Sequence, residues 1–186
     1  LESITAQQFQ DFERILLDDA STDGSPALLE AFGKTRAGTR VVLNRDNSGS
    51  PFAQWLRGME MAEADIVWLA EADDWCEDTL LTTLLPLFDD RNIRLASCMS
   101  VPVQADGTVI GDYPSIYLDR INPGRWNGDF ISTDHEEANE GLGIANTIPN
   151  ASAVLMRRFE PDPALVEMVT GMRLCGDWCF YIRAMK

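Results

Sequence analysis

Short apolar runs that end in clusters of carboxylates and turn formers constrain this chain more than any other feature. Phe12-Glu13-Arg14-Ile15-Leu16-Leu17 reads as a buried strand, and it ends in Asp18-Asp19-Ala20-Ser21-Thr22-Asp23-Gly24-Ser25. Ser25 suits a helix N-cap, with Pro26 at the first helical position, and the helix runs through Leu28, Leu29 and Phe32 before Gly38. Thr39–Leu43 is a second strand, and Pro51 opens a helix with Phe52, Trp55, Leu56 and Met59 on one face. Residues 65–69 form a third strand that leads straight into Glu71-Ala72-Asp73-Asp74. This alternation of strand and helix specifies a parallel α/β sheet with helices on both faces.

The remainder continues the pattern and then departs from it. Leu1 to Gln8 reads as the end of a helix, and Leu80, Leu81, Leu84, Leu85 and Phe88 form the buried face of another. Residues 93–103 are expected as a strand, with a hairpin turn at Ala105-Asp106-Gly107-Thr108. From Tyr113 to Asn150 the regularity fails, and so long an irregular stretch points to a functional loop region. Residues 151–156 read as a strand, 161–171 as a helix and 177–185 as a last helix.

In a parallel α/β sheet, ligands bind beyond the carboxyl ends of the strands, where Asp18-Asp19 and Glu71 to Asp74 both sit. Neighbouring carboxylates repel one another, so their convergence suits a hard divalent cation. Turn formation and helix capping are the plain alternative. A formal net charge of -15, from 15 basic and 30 acidic residues, disfavours nucleic acid and a polybasic grip on an anionic membrane. No apolar run reaches the roughly 20 residues of a membrane span. Cys76, Cys98, Cys175 and Cys179 form no C-x-x-C pair, which suits a reduced, cytoplasmic protein. With His135 as the single histidine, a multi-histidine zinc site is excluded, and His135 itself reads as a solvated loop residue.

The motifs together resemble family 2 glycosyltransferases. Asp18 to Ser25 is similar to that family's D-D-x-S-x-D-G-[ST] turn. Asn47-Ser48-Gly49, helix 51–62 and the strand ending in Glu71-Ala72-Asp73-Asp74 resemble its N-x-G block and D-x-D motif. Gly176-Asp177-Trp178, followed by Arg183, resembles its late acidic motif. The blocks keep the family's order and cover most of residues 1–186.

The resemblance implies a GT-A fold, a Rossmann-like, mostly parallel sheet flanked by helices in one domain. Its nucleotide-sugar-binding part would span about 1–103 and its acceptor-side part about 104–186. It implies a nucleotide-diphospho-sugar donor, UDP- or dTDP-linked, a sugar or glycolipid acceptor, and Mn²⁺ or Mg²⁺. Asp19 would meet the base, Glu71 the ribose, and Asp73 the metal on the diphosphate, supported by Asp18, Asp74, Asn47 and Gly49. Asp177 would be the general base of an inverting transfer, although its plain reading is an N-cap for the last helix. Trp126 is a candidate for sugar stacking. Trp178, with Phe180 and Tyr181, lines the acceptor side or packs in the core. The segment Asn146 to Ser152 resembles one that enters the acceptor side of the family's cleft.

Two departures accompany the match. Glu71 stands where the motif opens with aspartate, and the family's first strand is missing ahead of Leu1. The chain therefore reads as an N-terminally truncated fragment of a longer one, touching a membrane's inner face only through parts outside it. A non-catalytic binding or assembly domain of the same fold is the competing expectation. A phosphotransfer enzyme is disfavoured, because neither acidic turn carries D-x-D-x-T.

Overall fold

The computed structural model describes residues 1–186. A one-turn helix α1 (Glu2–Thr5) precedes β1 (Arg14–Asp18), α2 (Ser25–Thr35) and β2 (Thr39–Leu43). These are followed by α3 (Pro51–Met61), β3 (Ile66–Trp68), α4 (Leu80–Leu84) and β4 (Leu95–Ser97). The long connection carries the short helices α5 (Tyr113–Ile116) and α6 (Asp134–Glu140). The chain then completes β5 (Val154–Arg157), α7 (Pro163–Thr170) and α8 (Gly176–Ala184).

Each helix start has a local cause. Pro26 and Pro51 lie in the first turns of α2 and α3, where a missing N–H costs nothing. The α2 cap differs from the sequence expectation: Gly24 is the N-cap and Ser25 is already helical. Asp23 instead accepts from the Ser25 N–H at 2.9 Å, which satisfies that orphan donor. Thr133 and Glu136 form a reciprocal capping box on α6, and Asp162 caps α7 through the Leu165 N–H at 2.9 Å. The apolar run from Leu80 does not hold one helix. Beyond Leu84 it tightens into a 3₁₀ turn over Leu85–Asp89 that contains Pro86.

The strands form two sheets. β1 and β2 pair in parallel from Arg14↔Thr39 to Asp18↔Leu43, as the alternating pattern requires. In the second sheet β5 lies between β3 and β4 and is antiparallel to both, so β3 and β4 run in the same direction. The long connection from 98 to 153 lets the chain enter β5 from the opposite end. The strand expected over 93–103 shrinks to Leu95–Ser97, and Val103 pairs only with Val109 in an isolated bridge across the expected turn at Gly107, whose φ is +85°.

β5 is the centre of the core, with Val154, Leu155 and Met156 no more than 1% exposed. Leu80, Leu81, Leu84 and Phe88 pack with Ala96 and Leu155. Phe52, Trp55 and Met59 of α3 pack with Leu165, Val169 and Phe180. Edge-to-face rings join them, at 5.4 Å for Phe52–Trp55 and 5.3 Å for Trp55–Phe180.

β1 and β3 each have a strand partner on one side only. A cavity of about 1020 Å³ is lined by residues of both, including Ile15, Leu17, Ile66 and Trp68. The cleft therefore lies between the two sheets.

Candidate active site

The rim of that cleft brings the two acidic turns together. Asp19, Asn47 and Gly49 line it from one sheet, and Glu71 and Asp73 from the other. Asp18 is buried at the end of β1, and its carboxylate accepts from the Ser21 N–H at 2.9 Å. Ala20 then turns the chain with a φ of +60°, a left-handed conformation that costs a non-glycine residue roughly 1–2 kcal/mol.

Asp19 is the most heavily bonded of the candidates. Its Oδ1 accepts from Asn44 Nδ2 at 2.7 Å, Gln54 Nε2 at 2.8 Å and Ser48 N at 3.0 Å. Its Oδ2 accepts from Ser48 Oγ at 2.7 Å. Burial pushes this carboxyl up, but the Ser48 and Asn44 donors outweigh burial and hold it below the usual carboxylate range. Asn47 donates to the Asp19 carbonyl at 2.7 Å and accepts from the Gly49 N–H at 2.8 Å, closing a turn in which Gly49 has a φ of +72°. Asn44, Ser48 and Gln54 were not singled out by the motif. Only the proximity of β2 and α3 reveals them.

Glu71, Asp73 and Asp74 each offer a carboxylate oxygen within 4.8 Å of the others. Burial raises the Glu71 carboxyl above its ordinary range, and the charges of Asp74, Asp73 and Asp177 raise it further. The charge of Asp177 is thus felt at Glu71. An all-carboxylate donor set crowded by its own repulsion fits a hard divalent cation.

Asp177 lies in the first turn of α8, one residue inside the helix, whose N-cap is Cys175. The alternative of a capping role is therefore not realised: the carboxylate makes no cap and accepts from Asn146 Nδ2 at 2.7 Å. Gly176 lets the helix begin there, since a Cβ at this position would lie 2.4 Å from the Phe52 ring. Cys175 precedes it with a φ of +62°.

The aromatic candidates separate. Trp178 is half-buried, packs against the cluster around Leu142 and Tyr181, and donates its indole N–H to the Leu142 carbonyl at 2.6 Å. Phe180 and Tyr181 are fully buried. Trp126 is half-buried in the long connection, beside Arg125, which pairs with Glu137 and Glu140. Trp75, directly after the acidic cluster, is 67% exposed and was not expected. His135 is exposed, as read from the sequence, but it lies on α6 rather than in a loop.

Comparison with known proteins identifies the family. The model of "Glycosyl transferase family 2" matches residues 1–146, and the chain belongs to that family. It is 31% identical over 92 residues to glycosyltransferase GlyG of Streptococcus pneumoniae, covering 50% of this chain and 30% of that protein. It is 32% identical over 81 residues to a putative teichuronic acid biosynthesis glycosyltransferase, TuaG, of Bacillus subtilis, covering 43% of this chain and 32% of that one. The chain thus spans about a third of the length of these relatives. The crystal structure of S. aureus TarS 1–349 in complex with UDP superposes with a TM-score of 0.62 at 17% identity, over 99% of this chain and 49% of that one. The GT-A α/β fold expected from the motifs is therefore the fold found.

Proposed function

We infer that this chain is the donor-binding and base-bearing portion of an inverting glycosyltransferase. It would move a sugar from a UDP- or dTDP-sugar to a hydroxyl of a sugar or glycolipid in polysaccharide or glycoconjugate synthesis. The convergence of Asp19 and the Glu71–Asp73–Asp74 cluster on one cleft carries this reading, with the charge of Asp177 acting on Glu71. The UDP held by TarS and the teichuronic acid assignment of TuaG support the donor and the product class. The strongly negative chain and its four free cysteines suit a cytoplasmic reaction. No helix is long and apolar enough to cross a membrane.

Asp73, with Glu71 and Asp74, would hold Mn²⁺ or Mg²⁺. Bound there, the ion would offset the negative charge that gathers on the departing nucleoside diphosphate. Asp19, with Asn47 and Gly49 shaping its turn, faces the nucleoside, and Glu71 the ribose. Any base N–H that meets Asp19 must share its carboxylate with Ser48 and Asn44. Asp177 takes the proton of the acceptor hydroxyl as that oxygen bonds to the anomeric carbon. The bond to the diphosphate oxygen breaks on the opposite face, giving inversion. Trp126 and Trp178 lie on the acceptor side, within residues 104–186.

In the full polypeptide that the gene encodes, Asp73→Ala should abolish Mn²⁺-dependent UDP or dTDP binding measured by calorimetry. Asp177→Asn should retain binding and lose turnover by about 10²–10⁴-fold. Unchanged nucleotide affinity in Asp73→Ala overturns the metal assignment. Wild-type turnover in Asp177→Asn overturns the base.

A further inference from the structure

The acidic cluster and Asp177 are separated by about a hundred residues of chain, yet one short segment touches both. Asn146 Nδ2 donates to Asp177 Oδ2 at 2.7 Å, and Asn146 Oδ1 accepts from the Ile148 N–H at 3.3 Å, which fixes the orientation of the amide. Six residues on, Ser152 Oγ donates to Asp74 Oδ2 at 2.7 Å and accepts from the Glu71 N–H at 2.9 Å. The Ser152 carbonyl accepts from Trp68 Nε1 at 2.8 Å. Ser152 is 6% exposed, and the strand it leads into is the most deeply buried of the molecule.

We propose that Asn146 and Ser152 are positioning residues that set the two halves of the reaction centre relative to each other. The inference rests on the glycosyltransferase reading and goes beyond it. Because Asn146 occupies Oδ2, Oδ1 is the oxygen of Asp177 left to accept the proton. Ser152 acts at the other end. Its hydroxyl spends its one proton on Asp74 and holds the Glu71 backbone with a lone pair, so the acidic loop is tied at its first and last acidic residues to the segment leading into β5. Without these bonds, like-charge repulsion among Glu71, Asp74 and Asp177 would spread them apart. The segment from Asn146 to Ser152, buried at Thr147, Ile148, Ala151 and Ser152 and running into β5, thus serves as a ruler between donor and base. Groups that orient metal-binding and reacting carboxylates in this way are commonly worth about 10–100-fold in affinity or activity.

The two contacts make opposite demands on kinetics, and this separates positioning from mere folding. In the full polypeptide with Mn²⁺, Ser152→Ala should weaken UDP binding about 10–100-fold by calorimetry, and Ser152→Thr, which keeps the hydroxyl, should restore it. Asn146→Ala should lower kcat by a similar factor while UDP affinity and donor KM stay as in wild type. Wild-type binding in Ser152→Ala together with wild-type kcat in Asn146→Ala overturns the positioning role alone. Parallel loss of binding, turnover and melting temperature in both variants also overturns it, in favour of a purely structural role. A wild-type protein without Mn²⁺-dependent UDP binding overturns the underlying glycosyltransferase reading, and this inference with it.

Discussion

The two sheets draw on similar strand sequences and are packed very differently. In the second sheet β5 has partners on both sides and three residues no more than 1% exposed. In the first, Asp18 is the only buried residue of β1, β2 contains none, and α2 buries none. The first sheet is held largely by polar ties. Glu13 pairs with Arg40 and accepts from the Glu63 and Ala64 N–H groups, and Arg40 donates to the Met61 carbonyl. Local stability follows buried apolar contact and paired edges. The half of the cleft that carries Asp19 therefore stands on a softer base than the half that carries Glu71 and Asp73.

Core truncation is the largest test of that contrast. Leu155→Ala removes a fully buried side chain from the central strand and should cost about 2–5 kcal/mol in chemical denaturation. Leu28→Ala on α2, where the leucine is 61% exposed, should stay within about 0.5 kcal/mol. Equal losses would break the comparison. Two glycines sharpen it. A Cβ at Gly176 would lie 2.4 Å from the Phe52 ring, inside the aromatic cluster, so Gly176→Ala should cost about 1–3 kcal/mol. A Cβ at Gly33 would lie 2.5 Å from Val41 Cγ2, but Val41 is only half-buried and can turn aside. Gly33→Ala should be close to neutral, helped by the better helix propensity of alanine. Melting temperatures of the two variants decide between these outcomes.

The smallest effect is one of pH. The Asp19 carboxyl is depressed in the folded state, so its stabilisation is complete above the unfolded value of about 3.9 and is lost as pH falls through the lower folded value. Hydrogen exchange of the β1–β2 amides should therefore accelerate below about pH 4 more than that of β5. Asp19→Asn should remove the difference in pH dependence. Equal acid sensitivity of the two sheets would show that Asp19 does not tie the first one down.

Features set by neighbouring residues were legible in the sequence. β2 spans the residues read from its alternation, and α2 and α3 follow their prolines and apolar faces, because caps and periodicity are local. Glu71, Asp73 and Asp74 were visible for the same reason, since contiguous carboxylates after a strand converge whatever else the chain does. The antiparallel insertion of β5 between β3 and β4 was not, because strand pairing over 57 to 91 residues leaves no local periodic mark. The partners of the carboxylates were hidden likewise. Ser152 is 78 residues from Asp74, and Gln54 is 35 from Asp19. Capping a helix was the plain alternative for Asp177, and the start of α8 at Gly176 decides against that role.

The left-handed turn at Cys175 also provides a chemical handle. It presents an exposed sulfhydryl two residues before Asp177, outside the packed face of α8. Cys98 is the other exposed cysteine, but desolvation raises its thiol, like those of the half-buried Cys76 and Cys179, above the ordinary range, which disfavours the reactive thiolate. A thiol-directed fluorophore near neutral pH should therefore attach first at Cys175. The wild-type sequence would then carry a single reporter beside the proposed base, where the arrival of an acceptor can be read optically without altering any carboxylate.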